Sequence, residues 1–276
     1  MNDVAIVLLA GLGAAVSFGS GDFSGGVATK RDPVVRVVAL AHVLSFVAFA
    51  LLAVLTRERA PSLADLAWGA LAGVGGLIGL ASLYRGLALG PMGVVAATSA
   101  VLAAAVPVLV SVALGQVLGF VQLVGMILAL VGVVVLTRDA STGRGGVLLA
   151  VSAGLGFGAF FVFLGQTTPG SVFWPLVVAR FVSGSVMLVL AVRGSGLKPA
   201  APNPIVASSV LDALGNVLFV LAAQTGRLAE ASVLSNVYPA FTVLLAWAVL
   251  KERLRRDQWW GLAVTLIAVP LVAWRT

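Results

Sequence analysis

Two stretches decide the fold: Leu250-Lys251-Glu252-Arg253-Leu254-Arg255-Arg256-Asp257-Gln258-Trp259-Trp260-Gly261 and, 136 residues earlier, Leu114-Gly115-Gln116-Val117-Leu118-Gly119-Phe120-Val121-Gln122-Leu123-Val124-Gly125. Both follow Leu-x-Gln/Glu-x-Leu-x-x-x-Gln-x-x-Gly, and self-similarity at a fixed offset marks a repeated structural unit. The same offset carries Gly90 onto Gly226 and Ser99 onto Ser235. An offset of 138 sets His42 against Arg180, Ser45 against Ser183 and Leu52 against Leu190; an offset of 139 sets Phe18-Gly19 against Phe157-Gly158. These offsets differ only by small loop gaps. The chain therefore divides into two related halves, residues 1–140 and 141–276.

Working outward, the composition says what kind of unit repeats. Of 276 residues, 61% are hydrophobic and 10% charged. Mean hydropathy is +1.13. A soluble domain carries about a quarter charged residues and needs polar residues to cover its outside. A soluble enzyme is excluded on that ground, and disorder is excluded by the high hydrophobicity. The net charge of +7 would suit nucleic acid in a soluble protein. Here it reads as loop charge placed by membrane insertion, with no nucleic-acid partner. With no cysteine and one histidine, disulfides, thiolate metal sites and a protein-ligated zinc are not expected, and no cofactor is implied.

A helix crossing a hydrocarbon core of about 30 Å needs roughly 20 apolar residues. Ten such stretches run along the chain, near 4–27, 34–55, 64–88, 92–114, 119–137, 145–165, 172–192, 205–225, 229–250 and 257–274. Charged or Gly/Pro-containing segments separate them. Only the neighbourhood of Gln116 parts the fourth from the fifth, so one long segment is the alternative there. Met1-Asn2-Asp3 lacks the basic region of a cleaved signal peptide, and the first span reads as permanent. Lipid leaves no partner for unpaired backbone groups, so the spans are expected to be helices. The 32 glycines then read mainly as helix-packing residues, with Gly69, Gly73, Gly76 and Gly79 in span three and Gly154, Gly156 and Gly158 in span six. The fold class is thus all-α integral membrane. Five spans per half is an odd number, so the second half must sit upside down relative to the first. This is the inverted-repeat construction of secondary transporters, whose substrate sites lie near the midplane between the halves.

The residues Leu250-Lys251-Glu252-Arg253-Leu254, Gln258 and Gly261 resemble the drug/metabolite transporter superfamily, specifically its ten-helix members with two EamA-like halves. Phe18-Gly19-Ser20 resembles the Trp-Gly-Ser of that family's first helix, with Phe for Trp. Arg180-Phe181 resembles the Arg-Phe of its second helix in each half. His42 stands where Arg is expected, and Gln116 replaces Glu. The resemblance covers the whole chain and implies a carrier of a small metabolite or drug, often working outward.

Ionisable residues inside a span are costly and are functional candidates by default. Asp22, in Gly21-Asp22-Phe23, reads as a proton-carrying group or as a wetted residue at a helix end. His42, about nine residues into span two, suits proton coupling or a hydrogen-bonded neutral imidazole. Arg180, equally deep in span seven, would anchor an anionic group such as a carboxylate, or pair with Asp22 or Asp212. Asp212 and Asn216 share a face of span eight at i, i+4. Ser232, Ser235 and Asn236 share a face of span nine, followed by Tyr238 and Pro239. These small polar residues line a cavity or act as interhelical glue. Pro107 and Pro239 sit inside spans four and nine, though not at matching repeat positions, and a proline inside a helix frees a carbonyl and permits a kink. Tyr84-Arg85 reads as an interfacial anchor, and Trp259-Trp260 as an aromatic belt.

Twelve of the 17 Lys and Arg fall in loops after odd-numbered spans and four in the others or the C-terminus. The positive-inside rule then puts the odd-numbered loops in the cytoplasm and both termini outside. The expectation is a secondary transporter, not an enzyme, in a bacterial inner membrane. It would move a small metabolite or drug, with amino-acid-like molecules among the candidates, by alternating access, with protons as a coupling ion, as a monomer or homodimer among membrane lipids. The rival readings are a membrane enzyme acting on lipid and a non-transporting sensor or assembly subunit.

Overall fold

In the computed structural model, the described residues are 3–113, 115, 119–137, 143–168, 170–223, 234–235, 237–252 and 255–272. Those residues form ten α-helices. The first five are α1 (Asp3–Thr29), α2 (Val34–Leu55), α3 (Leu63–Leu89), α4 (Met92–Ala113) and α5 (Phe120–Thr137). The second five are α6 (Gly143–Leu164), α7 (Phe173–Leu190), α8 (Pro202–Ala223), α9 (Tyr238–Leu250) and α10 (Arg256–Val272). A π-helical turn, Ala191–Ser195, extends α7. Each helix falls on one expected span. By length and composition alone, Val34–Leu55, Leu63–Leu89, Arg144–Leu164 and Phe173–Ser195 are long and apolar enough to cross a membrane. Large apolar side chains such as Val54, Leu55, Val192 and Trp260 point outward, which a lipid environment accommodates.

The fourth and fifth spans are separate helices. Gly115, between them, has φ +91, a left-handed conformation that glycine adopts without a Cβ penalty. The ninth differs from expectation. The helix proper starts at Tyr238, and Pro239 lies in its first turn. Proline there costs no intrahelical hydrogen bond, so it opens α9, whereas the span boundaries put it inside the helix. Pro107 lies within α4, whose side chain at that position is outside the described residues.

Helix pairing follows the repeat. α1 packs along α8 as α3 packs along α6; α4 lies on α6 as α9 lies on α1; α3 meets α7 as α2 meets α8. The pairs α2/α7, α5/α10 and α4/α9 map onto themselves. Adding five to each helix number thus exchanges the contacts, as a two-fold axis between the halves requires. Because each half crosses the membrane an odd number of times, that axis lies in the membrane plane.

Side chains obey the same exchange. A Cβ on Gly215 would lie 2.6 Å from the Phe18 ring, and one on Gly79 would lie 2.7 Å from the Phe157 ring. Gly19 is pressed onto Phe241 and Thr242 of α9, and Gly158 onto Val106 of α4. Phe-Gly at 18–19 and 157–158 is therefore the same device used twice. The glycine lets α1 or α6 approach one neighbour, and the phenylalanine fills a glycine notch in another.

The loops bind across the halves through helix N-termini, whose free N–H groups attract carboxylates. Buried Asp32, between α1 and α2, accepts from Ala200 N–H at 3.0 Å and Ala201 N–H at 2.9 Å, at the entrance to α8. It also pairs with Arg36 at 2.7 Å. Arg36 Nε in turn donates to the Gly196 carbonyl at 2.8 Å, and its Nη2 donates to the Ser195 carbonyl. On the other face, Glu58 receives Val172 and Phe173 N–H at 2.8 and 2.7 Å, at the start of α7. Asp65 closes a capping box with Ser62 and accepts from Thr168 N–H at 2.7 Å. Glu252, in the α9–α10 loop, caps α4 through Met92 N–H at 3.1 and 3.0 Å.

Candidate functional site

The central polar groups lie where α1, α3, α7, α8 and α9 meet. α1 reaches this point because Gly21 packs against the α8 backbone between Ser208 and Asp212: its Cβ would lie 3.3 Å from Asp212 N and 3.4 Å from Ser208 O. Asp22, the next residue, therefore lies beside Asp212. Arg180 Nη2 donates to Asp212 Oδ2 at 2.7 Å, bridging α7 and α8. Of the two partners expected for Arg180, the structure pairs it with Asp212. The guanidinium also sits 6.0 Å from the Phe49 ring centroid, a cation–π distance. Asn216 Nδ2 donates to the Asp212 carbonyl at 2.8 Å, one turn along α8, as the i, i+4 spacing predicts.

Tyr238 opens α9 beside α1. Its carbonyl would meet a Cβ on Gly19 at 2.4 Å. Thr242 Oγ1 donates to the Gly19 carbonyl at 3.1 Å, holding the two helices together. Tyr238 packs in a cluster with Ala15 and Ala100, flanked by Phe18 and Phe241. Ser235, one turn before Tyr238, is buried, and its Oγ has no partner among the described residues. Ser232 and Asn236, also expected here, lie outside the described residues.

His42 is 1% exposed, and neither ring nitrogen has a partner among the described residues. The expected hydrogen bond from a neutral imidazole to a backbone carbonyl is not among the described ones. His42 packs on Gly184, which stands one turn after Arg180 on the same face of α7. Arg180 Nε is likewise unpaired among the described residues. Nearby, Ser209 Oγ donates to the Ala41 carbonyl at 2.8 Å and faces Ser45 Oγ at 3.1 Å, joining α8 to α2. Those serines act as interhelical glue.

Tyr84 corrects the interfacial reading. It is 1% exposed, while Arg85 beside it faces outward. A Cβ on Gly25 would lie 2.1 Å from Tyr84 Cζ, so the ring occupies a notch that only glycine leaves open. Gly25 is three residues after Asp22 on one face of α1. Tyr84 thus joins Asp22, Asp212 and Arg180, and lies within electrostatic reach of all three. Position near the end of an apolar stretch concealed this. The Gly25-Gly26 pair was the available signal, since two adjacent glycines in one helix leave room for a large ring. Trp259 and Trp260 are exposed, as an aromatic belt requires.

Among the described residues no group of three or more His, Cys, Asp or Glu could hold a metal ion. The assembly is a buried polar cluster of two carboxylates, one guanidinium, two tyrosines and small hydroxyls, with five helices from both halves contributing. The sequence profile of the EamA-like transporter family matches the chain twice, over residues 5–138 and 144–274, and the chain belongs to that family. It is a membrane transporter of the drug/metabolite superfamily, integral to the membrane. Its family members are transporters, not enzymes. No curated protein matches the chain. A protein of known crystal structure is similar in fold, with a TM-score of 0.65 and 16% identity, each chain covered over 96% of its length.

Proposed function

We propose that the chain is a secondary transporter working by alternating access, the two halves rocking about the buried polar cluster of Asp22, Arg180, Asp212, Tyr84 and Tyr238. The observation that carries this reading is the charge balance. Two carboxylates, Asp22 and Asp212, stand beside one guanidinium, and that guanidinium is committed to Asp212. A surplus negative charge inside lipid is costly, and a proton or a cation that enters relieves it. Such a group is filled in one state and emptied in another, which is what a coupled carrier needs. Arg180 holds the Asp212 carboxylate in place; Asn216 bonds the Asp212 backbone carbonyl; Ser235 adds a buried hydroxyl; His42 stands behind Arg180 as a second proton-accepting group. The cargo is a small metabolite or drug, moved outward across a bacterial inner membrane, and protons supply the drive.

The test is transport in proteoliposomes under an imposed pH gradient. The gradient should change the wild-type rate, and Asp22→Asn should flatten that response while the purified variant keeps its melting temperature. Unchanged pH dependence in Asp22→Asn and in Asp212→Asn would remove the proton assignment. Turnover of lipid by the purified protein would favour the enzymatic rival.

A further inference from the structure

The two-fold exchange of contacts breaks down where α1 meets α3. These helices pack together near the α1 C-terminus, yet their counterparts α6 and α8 have no comparable packing among the described residues. Two equivalent glycines report the same difference. Gly26 in α1 and Gly165, just after α6, are related by the offset of 139 that joins Phe18-Gly19 to Phe157-Gly158. Gly26 is buried, and a Cβ there would lie 2.8 Å from Leu87 Cβ and 3.0 Å from Met92 Cε. Gly25 beside it receives the Tyr84 ring. Gly165 is exposed, and a Cβ there would meet only the Phe161 and Val162 carbonyl oxygens of its own preceding turn, at 3.3 Å. Its N–H donates to the Phe161 carbonyl at 2.9 Å, so Gly165 continues α6 with its side open. Because the halves are inverted, these two glycines belong to opposite faces of the membrane.

The helices fall into two bundles, α1 with α8 and α9, and α6 with α3 and α4. The seat of Tyr84, Leu87 and Met92 on Gly25-Gly26 crosses between the bundles. So does the Glu252 carboxylate, which reaches from the α9–α10 loop to Met92 N–H at the start of α4. Lys251, left-handed at φ +55, ends α9 and leads the chain into that contact. The Asp32 and Asp65 clasps differ: they tie α1 to α8 and α3 to the α6–α7 loop, each inside one bundle. The equivalent positions in the other half carry weaker groups. Gln116 stands for Glu252, and, at the offset of 136 that relates Gly79 to Gly215, Val220 stands for Tyr84 and Ala223 for Leu87. An amide brings no charge to a helix N-terminus, and smaller side chains bury less apolar area.

We propose that Tyr84, Leu87 and Met92, seated on Gly25-Gly26 and latched by Glu252, are the gate on the face of the α1–α2 and α9–α10 loops, and that transport exchanges this seat for one of α8 on α6 at Gly165. The unequal seats make the described state, closed at Gly26 and open at Gly165, the resting one. The assignment rests on the alternating-access reading and names the contacts that alternate.

The chain has no cysteine, so a single introduced thiol reports alone. The full-length protein in detergent is labelled with N-ethylmaleimide. Gly165→Cys should react fast, and Leu87→Cys, at a position 0% exposed, slowly. Adding Glu252→Ala to Leu87→Cys should speed its labelling about tenfold, the scale of one charge-assisted hydrogen bond. Gly26→Ala should act in the same direction, because its methyl unseats Leu87 and Met92. A further Gly165→Leu, on the opposite face, should return Leu87→Cys to slow labelling, since it fills the seat that the exchanged state needs. Gly145→Leu, at a site with nothing within 4 Å, should not. A Glu252→Ala effect that ignores Gly165→Leu would be local loosening and would overturn the gate, as would slow labelling at Gly165→Cys or no acceleration at Leu87→Cys. Gly165→Leu should also keep the wild-type melting temperature and stop uptake of a metabolite panel into proteoliposomes. Uptake that survives Gly165→Leu refutes the exchange at that seat. If the wild type moves nothing, the transporter reading fails, while the labelling still decides whether the gate moves.

Discussion

Arg180 Nη2 stands 2.7 Å from Asp212 Oδ2, and this contact joins α7 to α8 within the membrane. The two groups are nearly enclosed, at 6% and 21% side-chain exposure. Removing one partner leaves the other as an uncompensated charge. Arg180→Met should destabilise the protein by about 3–5 kcal/mol, and the double variant Arg180→Met/Asp212→Leu should recover most of that loss. Unfolding in detergent checks both. A double variant as unstable as the single one would mean that the pair is not what the arginine supports.

The glycine notches give a paired prediction. Gly215→Ala and Gly79→Ala place a methyl 2.6 and 2.7 Å from the Phe18 and Phe157 rings. Each should cost about 1–3 kcal/mol through overpacking. Gly145→Ala meets nothing within 4 Å and should stay within about 0.5 kcal/mol of wild type. Melting temperatures of the three variants decide it, and a large effect at Gly145 alone would contradict the packing account.

Asp32 gives a pH dependence with a definite sign. Burial pushes its carboxyl upward, but the Ala200 and Ala201 N–H groups and the Arg36 guanidinium outweigh that and hold it below the ordinary aspartate value. A group depressed in the folded state contributes stability above its unfolded pKa and loses it as pH falls through the folded pKa. The Asp32 clasp should therefore be intact at neutral pH and weaken only below the ordinary aspartate range. Asp32→Asn should lower the melting temperature at neutral pH and remove that acid-limb dependence.

Glu252 has the opposite sign. Burial raises its carboxyl above the ordinary glutamate value, although the Met92 N–H and the Lys30 charge pull it down. Its ionised form is disfavoured in the folded protein, so its contribution falls as pH rises from the ordinary glutamate value through the raised one. Glu252→Gln should flatten stability against pH over that window. The first half carries Gln116 at the repeat-related position, so the amide is a natural replacement there, and the cost at low pH should be about 1 kcal/mol or less.

The charge distribution over the loops supplies a topological prediction. A reporter fused after Thr276 should be active on the external side. Activity confined to the cytoplasm would reverse the assignment from loop charge.

Much of this protein was legible before any coordinates. Span length and the Phe-Gly repeat gave ten helices in two halves, because hydrophobic length and glycine notches are local properties of the chain. The partnership of Arg180 with Asp212 was readable as one of two alternatives, since charge inside lipid requires a partner but spacing does not choose between two. Tyr84 was missed because hydropathy reports depth along a helix and says nothing about which neighbour the ring faces. Pro239 was misread because a proline in the first turn and one in mid-helix look the same when a helix start carries no polar boundary. The loop carboxylates Asp32 and Glu58, and Asp65 in the first turn of α3, escaped notice for a related reason. Besides local partners such as Arg36 and Ser62, each accepts from backbone N–H groups more than a hundred residues away, and such a distant backbone donor has no signature in sequence.

The exchange of first helices between the halves has a consequence for synthesis. Phe18 has its seat at Gly215, on α8, while the partner device at Phe157 finds Gly79 already made. A chain emerging from its N-terminus inserts α1 first, and although α3 soon reaches its Gly25 end through Tyr84, Phe18 stays without its seat until almost two hundred further residues have followed, at the several-residues-per-second pace of translation. α6, by contrast, meets α3 as soon as it enters. The oldest helix of the protein is thus only half locked until late, and a nascent chain stalled before α8 would carry an α1 whose Gly19–Gly21 stretch is still open to any passing helix.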